Sequence, residues 1–196
     1  MKNVKSKPFI IGLTGGIATG KSRAAKVFKD NGFIVIDSDE IVKELYLNNN
    51  GMLKKIEAIF KIDYKNPNFK KQLSEIVFND KAKLEILNDI VHPYVFKKIK
   101  EIVKKYKKEK YLVIDMPLLI EVGYKVDHIL LIYASKETQI NRVIKRDNLS
   151  YNDALKRVES QMDIELKKTY ANTIINNEID LDIELNQFIG GLINEK

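Results

Sequence analysis

Eight consecutive residues, Gly15-Gly16-Ile17-Ala18-Thr19-Gly20-Lys21-Ser22, follow the spacing glycine, any four, glycine, lysine, serine. Glycines so placed let backbone N–H groups crowd a polyphosphate with no Cβ in the way. Lys21 then reaches the β- and γ-phosphates, and the Ser22 hydroxyl holds Mg²⁺. The flanks agree with the string. An apolar run, Phe9-Ile10-Ile11-Gly12-Leu13, feeds the loop, and Ala24, Ala25, Val27 and Phe28 continue it at helical spacing. Strand, loop and helix in that order are what a phosphate loop requires, and the helix N-terminus adds about half a positive charge at the same spot. The alternative is an ordinary glycine turn before a helix.

Carboxylates follow at two further strand ends. In Ile36-Asp37-Ser38-Asp39 the two aspartates share one side if the segment stays extended and diverge if a helix starts at Ser38. One carboxylate can contact magnesium or its waters while the other accepts the proton of an attacking hydroxyl. One can also simply cap a helix. The combined reading is that Asp37 or Ser38 caps and Asp39 faces the phosphate. Asp115, after the apolar run Val113-Ile114, resembles a Walker B carboxylate. Leu118 occupies the position where many GTPases carry glycine, no Asn-Lys-x-Asp string exists, and Leu-Ser-Gly-Gly-Gln is absent. A regulatory GTPase and a transporter ATPase are therefore disfavoured.

Only four arginines occur, Arg23, Arg142, Arg146 and Arg157. Arg142 and Arg146, four apart, share a helical face. Guanidinium groups match phosphate oxygens and stay charged, so the pair suggests a lid that neutralises charge developing on a transferred phosphoryl group. A helix-end salt-bridge pair is the plainer alternative. Arg157 and Gln161 repeat the spacing; Gln161 either hydrogen-bonds a phosphate or ribose or is a surface amide. His92 precedes Pro93 and is either a structural histidine before a proline break or a substrate contact. His128 is the one other histidine, which excludes a histidine metal cluster.

The elements that must position these groups alternate. Short runs at Phe9–Thr14, Phe33–Ile36, Tyr111–Asp115, His128–Tyr133 and Thr173–Ile175 read as strands. Helical spacing marks Lys21–Asp30, Ser38–Leu47, Met52–Phe60, Lys70–Phe78, Lys81–Asn88, Tyr94–Lys107, Lys136–Arg146, Tyr151–Met162, Glu165–Tyr170 and Asp182–Ile193. The expectation is an α/β fold of the P-loop NTPase type, a parallel five-stranded sheet with helices on both faces. Right-handed crossovers put the strand C-termini and the phosphate loop on one edge. A single domain is expected over 1–196, with a core of about 8–45 and 110–196. A helical insertion at about 46–108 would close over an acceptor, and a lid would span about 142–162.

A chain of 196 residues buries on the order of 70% of its extended surface and needs no covalent staple. It has no cysteine, so neither disulfides nor thiolate metal sites arise. No apolar stretch reaches the ~20 residues of a membrane helix. The basic start, Met1 to Pro8, precedes an apolar run too short for a signal peptide, so a cytoplasmic location is expected. The formal charge of +7 suits nucleic acid or a small polyanion alike. In the lysine-rich run from Lys97 to Lys110, Ile99, Ile102, Val103 and Tyr106 recur three and four apart. That spacing predicts a helix, and a solvated lysine face is favoured over a nucleic-acid patch as the reading of its charges.

Together these motifs resemble the dephospho-CoA kinase family, nearly end to end. The resemblance is carried by Ile11-Gly12-Leu13-Thr14 with the phosphate loop, Val35-Ile36-Asp37-Ser38-Asp39, His92-Pro93, and Asp115-Met116-Pro117-Leu118-Leu119-Ile120-Glu121. Arg142 to Asp147, Arg157 to Gln161, and Ala171-Asn172-Thr173-Ile174-Ile175-Asn176-Asn177 complete it. It implies Mg²⁺- and ATP-dependent phosphorylation of the ribose 3′-hydroxyl of dephospho-CoA, giving CoA and ADP. By that likeness Asp39 aligns or deprotonates the hydroxyl, and Asp115, Pro117 and Leu118 line the acceptor pocket. His92 and Gln161 are further candidate acceptor contacts. Lys21, Asp39 and Arg142 carry the chemistry, Arg142 and Arg146 belong to the lid, and Asn177 lies near the adenine. Arg23, Asn172 and Ile179 depart from the family pattern. The expected partners are the two small-molecule substrates, with no nucleic acid or membrane, in a monomer or weak homo-oligomer. The rival readings are a nucleoside or nucleotide kinase of the P-loop class and a non-enzymatic nucleotide- or nucleic-acid-binding protein.

Overall fold

A computed structural model describes residues 7–78 and 80–194; the basic start at residues 1–6 lies outside the described residues. The element order is β1 Phe9–Gly15, α1 Lys21–Asp30, β2 Ile34–Asp37, α2 Ser38–Asn48, α3 Asn50–Phe60, α4 Phe69–Phe78 and α5 Lys81–Lys105. It continues with β3 Tyr111–Asp115, β4 His128–Tyr133, α6 Lys136–Asp147, α7 Tyr151–Glu159, α8 Ile164–Lys168, β5 Thr173–Asn176 and α9 Leu181–Asn194. The five strands form the one sheet expected, and their order in it is β2-β3-β1-β4-β5. β1 runs parallel to β3 with Leu13 opposite Asp115, and parallel to β4 with Gly15 opposite Ile132. β4 pairs parallel with β5, placing Tyr133 opposite Asn176. These registers bring Gly15, Asp115 and Asn176 to one edge of the sheet.

The chain divides into two compact units, one of residues up to Ile36 and from Tyr106 onward, the other Asp37–Lys105. In the first, β1 is central and its alternate side chains serve two faces. Ile11 and Leu13 pack with Val113, Leu130 and Ile132 under Phe28 of α1 and Leu185 and Ile189 of α9. The opposite face buries Ile10, Leu112, Ile114 and Leu131. There Gly12 admits a close approach: a Cβ would stand 2.5 Å from Leu119 Cδ1. Ile17 and Ala18 of the phosphate loop pack against a small cluster of Ile140, Val143, Ala154 and Val158 shared by α6 and α7.

In the second unit α5 packs against α2, α3 and α4. Here the structure corrects a reading. Lys81–Asn88 and Tyr94–Lys107 are not two helices broken at His92-Pro93 but one helix with Pro93 inside it. A proline removes the N–H that would bond the carbonyl four residues earlier, that of Asp89. Both Asp89 and Pro93 face solvent, so water can satisfy that carbonyl. The buried stripe Leu87, Val91, Val95 and Ile99 holds the helix together across the proline. Proline costs about 3 kcal/mol in an ideal helix interior. Pro93→Ala is therefore expected to stabilise the folded state by about 1–3 kcal/mol, read from the urea midpoint. A lower midpoint would show that the ring contributes more packing than the helix loses.

Candidate functional site

The phosphate loop leaves β1 at Gly15 and enters α1 at Lys21 through two backbone positions with positive φ. Ala18 has φ 57° and Gly20 φ 98°. Gly20 is required twice over: its φ favours glycine, and a Cβ there would lie 2.1 Å from Asn177 Nδ2. Among the described residues no side chain caps α1, so its first N–H groups are available for an anion to satisfy. The buried hydroxyl of Thr19 donates to the Gly16 carbonyl at 2.9 Å and braces the loop from within. Behind Gly16 lies the buried amide of Gln139, whose Nε2 donates to the Ala134 carbonyl at 3.0 Å.

Lys21 Nζ donates to Asp115 Oδ1 at 2.5 Å, with the two side chains 14% and 6% exposed. β1 and β3 are neighbours in the sheet, so residues far apart in sequence meet at its edge. Ser22 is exposed at the first turn of α1. The turn after β3 is held by Met116 N–H to the Leu13 carbonyl at 3.0 Å and by Thr14 Oγ1 to the Pro117 carbonyl at 3.0 Å. Pro117 is half-buried and Leu118 exposed.

Arg142 projects from α6 across the loop. Its Nη1 donates to the Ala18 carbonyl at 3.2 Å and its Nη2 to the Asn177 carbonyl at 2.8 Å. Asn177 in turn donates through Nδ2 to the Thr19 carbonyl at 2.7 Å. Phosphate loop, α6 and the β5–α9 connection are thereby laced together. Arg146 is not brought to this group; it forms a fork with Asp147 at 2.8 and 2.9 Å, and Arg157 pairs with the same carboxylate. Gln161 lines a cavity of about 300 Å³ that also touches Gly16, Lys136, Gln139 and Glu159. Its buried Oε1 has no partner among the described residues.

Asp39 and His92 belong to the second unit. Asp37 is the N-cap of α2, accepting from the Asp39 and Glu40 N–H groups at 2.9 and 3.1 Å. Asp39 is exposed in the first helical turn. Of the two caps considered, the structure selects Asp37. The half-buried His92 ring stacks on Phe96 at 5.7 Å. Burial pushes its pKa down, opposed by the Asp89 carboxylate.

Sequence reasoning overlooked three side chains. Gln139 is one and Lys167 another. The third, Glu178, accepts from the Ser135 N–H at 3.0 Å and from its hydroxyl at 2.7 Å, tying the β5–α9 connection to the start of α6. Hydrogen bonds from Thr138 and then Ser135 lower its pKa from 4.5 to about 2. A folded value below the unfolded one means the tie stabilises fully above about pH 4.5 and is lost as pH falls toward 2. Glu178→Gln should flatten the fall in stability across that acid window, followed by circular dichroism. An unaltered acid limb would show that this carboxylate contributes none of it.

The strand, glycine loop and helix at the edge of a parallel sheet, with the loop lysine on a strand-end aspartate, define a phosphate-loop nucleotide-binding protein. A model of the family described as "Dephospho-CoA kinase" matches residues 9–182, and the chain belongs to that family. It is 41% identical over 178 residues to a dephospho-CoA kinase of Fusobacterium nucleatum subsp. nucleatum, covering 88% of this chain and 91% of that one. A solved dephospho-CoA kinase from Campylobacter jejuni is 31% identical, with a TM-score of 0.61 over 97% of this chain and 98% of the other. The crystal structure of a Thermus thermophilus protein superposes more closely, with a TM-score of 0.81 at 27% identity. It covers 97% of this chain and 98% of that one. Among the described residues no helix is long and apolar enough to cross a membrane.

Proposed function

We propose that this chain transfers the γ-phosphoryl group of ATP to the ribose 3′-hydroxyl of dephospho-CoA. The products are CoA and ADP, and the step is the last of coenzyme A synthesis. The chain would act in the cytoplasm as a monomer or weak homo-oligomer. The observation that carries the reading is the family match across residues 9–182, joined to a complete phosphate loop whose Lys21 meets Asp115.

In this reading the loop amides of residues 15–22 and the N-terminus of α1 grip the triphosphate. Lys21 moves from Asp115 toward the β- and γ-phosphates. Arg142, already spanning Ala18 and Asn177, lies where charge on the transferred group is neutralised, and Asn177 borders the adenine. The segment 142–162 acts as a lid, with Arg146 exchanging Asp147 for phosphate. Asp39 orients the attacking hydroxyl and takes its proton. Asp115, Pro117, Leu118, His92 and Gln161 contact the acceptor. The exposed Ser22 hydroxyl and the Asp115 carboxylate are the hard oxygen donors Mg²⁺ prefers. The ion would neutralise phosphate charge there.

An ADP-release assay run with dephospho-CoA, with nucleoside monophosphates and with no acceptor tests this. Turnover is expected with dephospho-CoA far above either alternative. Preference for a monophosphate would instead assign a nucleotide kinase. Salt-sensitive oligonucleotide binding without acceptor-dependent turnover would assign a binding protein.

A further inference from the structure

Lys167 is a lysine with 0% exposure inside a protein whose other lysines mostly face water. Its ammonium has three protons and three partners: Glu121 Oε1 at 2.8 Å, the Pro117 carbonyl at 3.0 Å and the Gly15 carbonyl at 3.3 Å. Each belongs to a different part of the site. Gly15 opens the phosphate loop, Pro117 is in the turn after β3, and Glu121 also accepts from the Met162 N–H at 3.3 Å, at the base of the 142–162 segment.

The geometry points to Lys167 as a positioning residue that sets the distance between the phosphate loop and the acceptor turn. Across a trans peptide the carbonyl of one residue and the N–H of the next point opposite ways. Drawing the Gly15 carbonyl onto Lys167 therefore fixes the peptide plane that opens the phosphate loop. The same ammonium holds the Pro117 carbonyl, which also accepts from Thr14 Oγ1. One cation thus holds the first peptide plane of the phosphate loop and the turn beside Leu118.

The pair is poorly built for stability alone. Among the described residues the buried Glu121 Oε2 has no partner, and removing charges from water is costly when a carboxylate oxygen goes unsatisfied. What the arrangement supplies is register between two loops and the base of a third. That register matters for transfer because reacting groups misplaced by about 1 Å can lose about 10²-fold in rate.

This inference rests on the acceptor role proposed for the Pro117-Leu118 turn. Wild-type protein that does not phosphorylate dephospho-CoA would remove that role. Wild-type protein that does, with variants that transfer equally well, would remove the role of Lys167. The variant is K167M/E121Q, which deletes both charges of the pair and leaves neither stranded. At saturating substrates its kcat should fall about 30- to 100-fold, the usual cost of misorientation. The KM values for ATP and acceptor should stay within about threefold, because each site's own contacts persist. Water should attack the γ-phosphorus in place of the misplaced alcohol, so ADP formed per CoA formed should rise.

A structural role alone would lower kcat in proportion to the fraction of molecules that still bind ATP by calorimetry, with the ADP-to-CoA ratio unchanged. That outcome overturns the proposal. If the double variant does not fold, K167Q/E121Q decides, since the two amides can bond each other but leave no ammonium to span the Gly15 and Pro117 carbonyls. A raised ADP-to-CoA ratio is then expected, and an unchanged one refutes the clamp.

Discussion

Lys21→Ala is expected to abolish measurable turnover while leaving a folded protein. The ammonium is the one side-chain cation within the phosphate loop. Electrostatic stabilisation of a developing phosphoryl charge in a dry site is usually the largest single catalytic contribution. Losing one charged donor there costs about 10²–10³ in kcat by itself, and weaker ATP binding adds to the loss. Asp115 makes the outcome diagnostic. Its carboxylate is 6% exposed and paired with Lys21, so the substitution also removes a mostly buried ion-pair partner and should destabilise. Adding Asp115→Asn relieves that electrostatic cost without restoring a cation. Recovery of the thermal midpoint without turnover would separate the stability role of Lys21 from its chemical one. Substantial activity in Lys21→Ala would end the phosphate-loop account of this chain.

The second large effect is expected at Asp39. Asp39→Asn preserves shape and removes the proton acceptor, and general-base loss is worth about 10²–10⁴ in rate. The cap of α2 is supplied by Asp37 rather than Asp39, so the substitution should leave the helix intact. The fall should appear in kcat with the acceptor KM changed far less, the pattern of an interaction made in the transition state. Near-normal kcat would remove Asp39 from the mechanism and leave alignment of the hydroxyl to another group.

Several features were legible without coordinates because their causes are local. The phosphate loop is a spacing of glycines and a lysine between an apolar run and a helical one, and all of it lies within about two dozen residues. The strands Tyr111–Asp115 and His128–Tyr133 were bounded by their own flanking turn residues and fall where expected. Pro93 misled because proline is a local stop signal, while a buried apolar stripe packed against three other helices decides whether the stop is obeyed. Arg142 and Arg146 look equivalent at a spacing of four. Tertiary placement distinguishes them, one crossing to Ala18 and Asn177 and the other turning to Asp147.

Lys167 is the plainest case of what sequence alone did not reveal. It lies in a short, lysine-rich helix, and only its spacing of three from buried Ile164 hints that it points inward. By itself the sequence determined the kind of ligand, the family and the alternation of strands and helices, since each depends on residue type at short range. Which arginine spans the phosphate loop and which lysine is buried behind it were decided by the tertiary structure. Those outcomes depend on desolvation and on hydrogen bonds between segments more than a hundred residues apart, and no spacing along the chain encodes them.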